Sequence, residues 1–403
     1  MNVLLLGNYA PDRQQSMLRF AELLRASRAA RGLSVGVVAP ELTPLARVLS
    51  RGGGSAAKWA GYLDKYVFFP RALSRRLRDE RTAAERAGTS LVVHVVDHSN
   101  AVYVPRHAPE AAAAPGAITI AREAWVVTCH DLLAVRGALG EDTDCPASAL
   151  GRRLQRAIVA GLGRAHAVAC DSTSTRHDLT RLVPAPASQR RRVILLAQNH
   201  PYARIDPTEA RRRLAEFAGV PWDEPFVLNV GSNLPRKNKP GAVRAFARAA
   251  SSWPGNLVFC GADVPEPARA EAARLGVEGR VFAVPAPTNA QLEAAYNLAH
   301  ALLFPSKCEG FGWPVIEAQA CGCPVICSDR TSLPEVGGDA ALTHALDDEA
   351  GMAASILKLT EPAFRADIVA RGHANLARFA TDGMVDAYGA LYEEVLSAAA
   401  RPR

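Results

Sequence analysis

Residues 304–329 read FPSKCEGFGWPVIEAQACGCPVICSD, and the elements this stretch implies decide how the rest of the chain is arranged. Residues 301–304 are a short apolar run predicted to be a buried strand. Residues 305–312 are rich in turn formers, and Pro314 suits the first turn of a helix carrying VIEAQA. In the order strand, loop, helix, the first N–H groups of the helix lack internal partners and point outward with the positive end of the helix dipole. An anion such as a diphosphate suits that position. Gly310 and Gly312 let the backbone approach a ligand closely, and Glu309 and Glu317 are placed to reach polyol hydroxyls beside it. Carboxylates repel phosphate, so the pair points to a sugar.

The chain has 403 residues, more than one hydrophobic core usually serves, and two domains are expected. Its composition, 49% hydrophobic and 22% charged, is that of a globular protein, and no apolar run approaches the ~18 residues of a membrane span. MNVLLLGNYAPD reads as a first strand, not a signal peptide, so a cytoplasmic location is expected. The cysteines at 129, 145, 170, 260, 308, 321, 323 and 327 sit in or beside apolar strands and are expected to stay reduced, as small hydrophobes. The net charge of +7 is uneven: residues 1–200 hold 27 Lys and Arg against 16 Asp and Glu, whereas 201–403 hold 20 against 24. A basic first half suits an anionic acceptor or a membrane surface.

Residues 3–6 are a short apolar strand, and Met17, Phe20, Ala21 and Leu24 follow at the spacing of one buried helix face. Further short apolar runs at 35–38, 91–96, 125–128, 168–170 and 193–196 alternate with helical or irregular stretches, which implies a parallel sheet covered on both faces. Between the second and third lies KWAGYLDKYVFFPRALSRRLRDERTAAER (58–86). Here Trp59, Tyr62, Leu63, Tyr66 and Val67 repeat at helical spacing among eight basic residues. Two readings fit: a helix packed on its own domain with a solvated charged face, or a peripheral contact with an anionic membrane. In WVVTCHDLL (125–133) a strand runs into His130 and Asp131 at the end where such sheets bind ligands.

After residue 200 the pattern restarts, with strands expected at 226–230, 257–260, 281–284, 301–304 and 325–327. The first runs into GSNLPRKN, which brings Gly231, Arg236, Lys237 and Asn238 to the edge that holds the 304–329 stretch. Arginine offers a planar fork of donors and lysine a point charge, and both suit phosphate. MVDAYGALYEEVL (384–396) has helical periodicity, long after the last strand pattern.

These motifs resemble those of the retaining glycosyltransferases of family 4, whose GT-B fold sets two Rossmann-like doubly wound α/β domains face to face. The resemblance rests on VGSNLPRKN, FPSKCEGFGWPVIEA, GCPVICSD and TSLPEVGGDAAL, in order and spacing. It implies a donor-binding domain of residues 201–379 and an acceptor-side domain of residues 1–200 plus 380–403, the terminal helix crossing back. It also implies Arg236 and Lys237 on the donor diphosphate with Gly231 beside them, and Glu317 on the ribose. Glu309 and the backbone of Gly310, Phe311 and Gly312 would surround the transferred sugar, and His130 matches the first-domain histidine that lines it.

Cleavage of a glycosyl phosphate leaves a diphosphate whose growing charge two cations in a closed cleft stabilise, so no metal or other cofactor is expected. The acceptor hydroxyl would attack from the leaving-group side with retention of configuration, Glu309 orienting the sugar and steadying positive charge. The expected partners are a nucleoside diphosphate sugar, with GDP-mannose favoured over a UDP-hexose, and a glycan or lipid-linked acceptor. An anionic surface at the inner face of the plasma membrane would be met through 58–86, and no nucleic acid is expected. Rival readings are an epimerase acting on the sugar nucleotide and a binding subunit without catalysis; the intact charged set argues against the second and the glutamate pair against the first.

Three features depart from the family pattern. The loop GNYAPDRQQSM (7–17) lacks paired glycines, leaving Gln14, Gln15 or Ser16 to take their place; Ser232 stands where some relatives carry arginine; and residues 40–125 match only vaguely. Asp142-Thr143-Asp144 has a metal-binding form but lies in a loop far from a strand end, and no metal role is assigned to it. Cys321, Cys323 and Cys327 match no zinc spacing and read as packing, and Ser332 with Glu335 reads as a helix cap.

Overall fold

The apolar runs form two sheets of six parallel strands each among the described residues, which in this computed structural model are 1–12, 15–29, 31–44, 46–47, 54–106 and 123–398. Gln14, much of the alanine-rich stretch at 107–122 and the last five residues of the expected terminal segment lie outside them. The first sheet contains β1 (Asn2–Leu6), β2 (Val35–Val38), β3 (Leu91–Val95), β4 (Glu123–Cys129), β5 (Ala167–Cys170) and β6 (Arg190–Val193), in the order β2-β1-β3-β4-β5-β6. The second contains β7 (Phe226–Val230), β8 (Asn256–Gly261), β9 (Val281–Pro285), β10 (Ala301–Phe304), β11 (Val325–Ser328) and β12 (Ala341–His344), in the order β12-β11-β10-β7-β8-β9. Strands β3, β5, β7, β10 and β11 are buried along their whole length, as parallel strands covered on both faces must be.

Strand order reverses between β1 and β3 in one sheet and between β7 and β10 in the other. Connecting helices diverge at such points and leave a crevice beyond the carboxyl ends of the strands. Gly231 follows β7 and the 305–312 loop follows β10, so the two motifs share the crevice of the second sheet.

The sixth strand lies earlier than the apolar run 193–196 suggests. The arginines of RRRV occupy an edge, where Arg190 and Arg192 both reach Glu394 at 2.7 Å. Ile194, Leu196 and Ala197 instead enter a core cluster shared by both sheets. Strand β12 was not anticipated, because ALTH carries too little apolar sequence to stand out.

Helix Thr381–Ala398 packs against β4 and helix Gln15–Ala29 of the first sheet. Tyr388 shares a 2.8 Å hydrogen bond with Thr128, Thr128 shares one of 2.7 Å with His94 Nε2, and Tyr392 meets His94 Nδ1 at 2.6 Å. Arg28, 2% exposed, lies 4.7 Å from the Tyr392 ring centre, a cation–π contact that helps hold a buried guanidinium. Burial, together with Arg28 and His130, pushes the His94 imidazole down to about 3, so it stays neutral within this network.

The 58–86 segment is broken into helix Gly54–Leu63, a wider π turn at Asp64–Phe68 and helix Phe69–Arg86. Phe69, Leu73, Leu77 and Ala84 bury one face, while Trp59, Leu63, Val67 and Phe68 stand 40–61% exposed. No helix among the described residues is long and apolar enough to cross a membrane. Cys321, Cys323 and Cys327 are buried within the core, where they pack as small hydrophobes.

Candidate functional site

The crevice of the second sheet is shaped first by backbone. Gly231 has φ +140°, and Lys237 lies so close that a Cβ at 231 would meet its Cε at 3.2 Å. The next turn, Pro235–Lys237, ends at Asn238, whose φ of +50° is held by a 3.0 Å hydrogen bond from its side-chain amide to the Pro305 carbonyl. That bond ties the loop after β7 to the loop after β10.

It also brings charges together. Lys237 Nζ donates to Glu309 Oε1 at 2.7 Å, both side chains being largely buried, and sits 5.1 Å from the Phe304 ring centre. Glu309 is oriented from its backbone: its N–H donates to Thr331 Oγ1 at 2.9 Å, and Ser332 Oγ donates to the carbonyls of Glu309 and Phe311 at 3.1 and 2.8 Å. Ser332 therefore braces the 309–312 loop and is not the helix cap its sequence suggests, having a helical backbone and no capping hydrogen bond. Gly312, at φ +98°, turns the chain into helix Trp313–Ala320, and Phe311 is buried beside it.

The first domain meets this loop directly. A Cβ on Gly310 would fall 1.8 Å from the His130 carbonyl oxygen, so only glycine fits at the contact. Ser172 Oγ donates to the Gly310 carbonyl at 2.7 Å, and Thr173 gives its N–H and hydroxyl to Glu335 at 2.7 and 2.8 Å. Glu335 thus binds across the domain boundary instead of capping its own helix.

His130, which follows β4, is 7% exposed. Its Nε2 lies 3.0 Å from the Val96 carbonyl, its Nδ1 lies 3.5 Å from Asp171, and the edge of Phe20 closes on its ring at 5.2 Å between centres. Burial opposes a charged imidazolium, but Asp171 and Asp97 outweigh it and hold its titration above the ordinary histidine range. Burial likewise pushes the Asp171 carboxyl up to about 6.

Glu317 lies deeper than the loop residues, 5% exposed, and accepts a 3.0 Å hydrogen bond from Tyr296. Burial pushes its carboxyl up to about 7, against Tyr296, Arg19 and Lys237, which favour the ionised form. Arg236 pairs with Asp144 of the discounted Asp-Thr-Asp motif: Asp144 Oδ2 lies 3.3 Å from its Nη1 and 3.3 Å from its backbone nitrogen.

The structure therefore joins Lys237 to Glu309 and Gly310 to His130, with Gly231 beneath Lys237. It sets Glu317 apart on its helix and turns Arg236 toward Asp144. Asp144 stands in the sequence only as a discounted metal motif, Thr331 opens TSLPEVGGDAAL without a role of its own, and Asp171, Ser172 and Tyr296 are marked by no motif; of these only Asp171 and Ser172 had a positional signal, following the carboxyl end of β5. Two cations and two carboxylates converge over helix starts and glycine turns, an arrangement able to hold a phosphorylated polyol.

Residues 211–371 match the family model described as glycosyl transferases group 1. A D-inositol 3-phosphate glycosyltransferase from Acidothermus cellulolyticus is 32% identical over 302 residues, covering 69% of this chain and 64% of that protein. The O-antigen chain mannosyltransferase B of Escherichia coli is 30% identical over 240 residues, covering 57% of this chain and 60% of that one. The chain thus spans less than two thirds of the length of these relatives. Among solved structures, sucrose-phosphate synthase from Thermosynechococcus elongatus superposes with a TM-score of 0.67 at 20% identity, covering 99% of this chain and 100% of that one. Anabaena Alr3699/HepE in complex with UDP and glucose gives 0.66 at 16%, covering 98% and 100%. These likenesses show the two-domain GT-B fold. Residues 211–371, which carry Arg236, Lys237, Glu309 and Glu317, are the part of the chain that is similar to the group 1 glycosyl transferases.

Proposed function

We propose that this protein transfers a hexose from a nucleoside diphosphate sugar to a hydroxyl of a glycan or lipid-linked acceptor, with retention of configuration and without a metal. The observation that carries this reading is the Lys237–Glu309 pair at the crevice of the second sheet, closed over by His130 from the first. Lys237 and Arg236 bind the diphosphate and stabilise the charge that grows on it as the glycosyl bond breaks. Glu309, freed from Lys237 on that side, orients the sugar hydroxyls and steadies positive charge at the anomeric carbon. The acceptor hydroxyl attacks from the face the diphosphate leaves, and the departing phosphate oxygen takes its proton. His130, held by Val96 and Asp171, lines the sugar, and Glu317 accepts from the ribose.

In this reading residues 201–379 bind the donor, and residues 1–200 with 380–403 form the acceptor side. The packing of helix Thr381–Ala398 on β4 supports that division. GDP-mannose is favoured over a UDP-hexose by the run from EGFGWPVIEA to SLPEVGGDAA and by the mannosyltransferase relative. A thermal-shift screen of sugar nucleotides tests the donor, since a bound donor stabilises by mass action. NMR of the anomeric proton in the product tests retention, and full turnover after exhaustive chelation tests metal independence. Inverted product or chelator-sensitive turnover removes the corresponding part of the reading.

The protein works at the inner face of the plasma membrane, against which it lays Trp59, Leu63, Val67 and Phe68 with Arg71, Arg75 and Arg78 alongside. The exposed apolar group beside arginines supports this contact. Reversing Arg71, Arg75 and Arg78 to glutamate should abolish sedimentation with vesicles containing anionic lipid; unchanged sedimentation leaves the segment as a packed helix with a solvated face.

A further inference from the structure

Arg236 is held by a carboxylate from the opposite domain. Asp144 Oδ2 takes both the backbone N–H and Nη1 of Arg236 at 3.3 Å, and the Asp144 side chain is only 5% exposed. Asp144 comes from a loop that the first domain fixes firmly. A Cβ on Gly137 would strike the Cys145 carbonyl oxygen at 2.2 Å, and Thr143 Oγ1 accepts from the Cys145 N–H at 3.3 Å while donating to Leu133 at 3.4 Å. Arg236, by contrast, is underused, because its Nε is buried without a hydrogen-bond partner. A guanidinium has five N–H donors, and a buried one left unpaired is costly, so this side chain has capacity for a further anion.

The charges around the crevice explain why a carboxylate sits there. Asp144 balances Arg236 and Glu309 balances Lys237, so the two cations are neutralised before any donor arrives. A diphosphate brings more negative charge into the same buried space, and four anionic groups against two cations cannot all remain. Glu309 belongs to the donor domain and is fixed by Thr331 and Ser332, whereas Asp144 can withdraw with its own domain.

We propose that Asp144 is a placeholder for the donor's diphosphate. In the empty enzyme its carboxylate occupies the anion position at the Pro235–Lys237 turn and holds the domains together. It yields to phosphate when the donor binds, and it returns to help expel the nucleoside diphosphate. It is a positioning residue acting through Arg236, and the inference rests on the reading of Arg236 as a phosphate ligand.

The test is calorimetric binding of GDP and UDP, with donor kinetics, for Asp144→Asn, Asp144→Ser and Arg236→Ala. Asp144→Asn should tighten nucleoside diphosphate binding roughly three- to tenfold, the size of a close charge-pair coupling, and lower the donor KM similarly without raising kcat. Asp144→Ser should do the same, and neither change should alter binding in an Arg236→Ala background. A purely structural role would lower Tm and leave KM unmoved, and unchanged or weaker binding in both folded Asp144 variants overturns the proposal. If Arg236→Ala weakens binding while the Asp144 variants do not tighten it, the placeholder fails and the phosphate assignment stands. If Arg236→Ala leaves binding unchanged, both fall.

Discussion

The two sheets have the same kind of crevice and treat it in opposite ways. In the first, beyond β1 and β3, Asn8 donates to Asp97 at 2.6 Å, Asn100 donates to Asn8 and to the Gly7 carbonyl at 3.2 Å, and Asp97 also accepts from Ser99. Two amides and the Asp97 carboxylate fill the gap, and these hydrogen bonds stay within residues 1–200. In the second, beyond β7 and β10, glycine and a left-handed asparagine shape the backbone, and the occupants are charged groups paired across loops or across domains. A carboxylate already satisfied by amide and backbone donors has less to gain from a ligand. Ion pairs can be exchanged for one, because an incoming anion replaces the partner that leaves. One crevice is filled by a hydrogen-bonded carboxylate–amide network and the other by exchangeable ion pairs.

Glu309→Gln gives the sharpest test of that contrast. It keeps the shape of the side chain and the brace from Thr331 and Ser332, so the fold should survive while turnover falls by roughly two to four orders of magnitude. Full activity would remove Glu309 from the sugar site. Lys237→Ala should follow, with donor kcat/KM lowered about 100-fold, in the range measured for losing one transition-state donor, and an unchanged value would place the diphosphate elsewhere.

The first crevice should respond in the opposite sense. Asp97→Ala leaves the amides of Asn8 and the N–H of Ser99 without their buried acceptor, so thermal or urea unfolding should show a loss of about 2–3 kcal/mol.

A further effect is expected in pH dependence. Glu317 titrates near 4.5 unfolded and at about 7 folded, so the folded state holds a proton that the unfolded state gives up. Its contribution is intact below pH 4.5 and is lost as pH rises toward 7, a decline on the order of 3 kcal/mol. Glu317→Gln should flatten that part of the stability profile, and an unchanged slope would assign the decline to other groups.

Most of this contrast could be read from the sequence on the second domain's side. There the chemistry lies in contiguous runs: VGSNLPRKN and FPSKCEGFGWPVIEA each carry a strand end, a glycine turn and the charged residues together. The contacts that escaped join distant positions. Asp144 meets Arg236 across 92 residues and Thr173 meets Glu335 across 162, and nothing local to either partner marks the encounter. Strand edges escaped for a different reason: β6 is made of arginines whose stems lie along an edge, so its hydrophobic signal is displaced onto Ile194 and Leu196. Asp97 and Asn8 look like ordinary turn residues, and only the parallel pairing of β1 with β3 brings them together.

Helix Thr381–Ala398 has a bearing on how the protein is made. Tyr388 and Tyr392 complete the hydrogen bonds of Thr128 and His94 and cover the buried guanidinium of Arg28, all in strands and helices that leave the ribosome long before them. Until that helix emerges, the first sheet has an unsealed face with polar groups wanting partners, while the second domain already has its own strands. Folding in order of synthesis would then finish the second domain first, and the earliest segment of the chain would be the last to reach its native state.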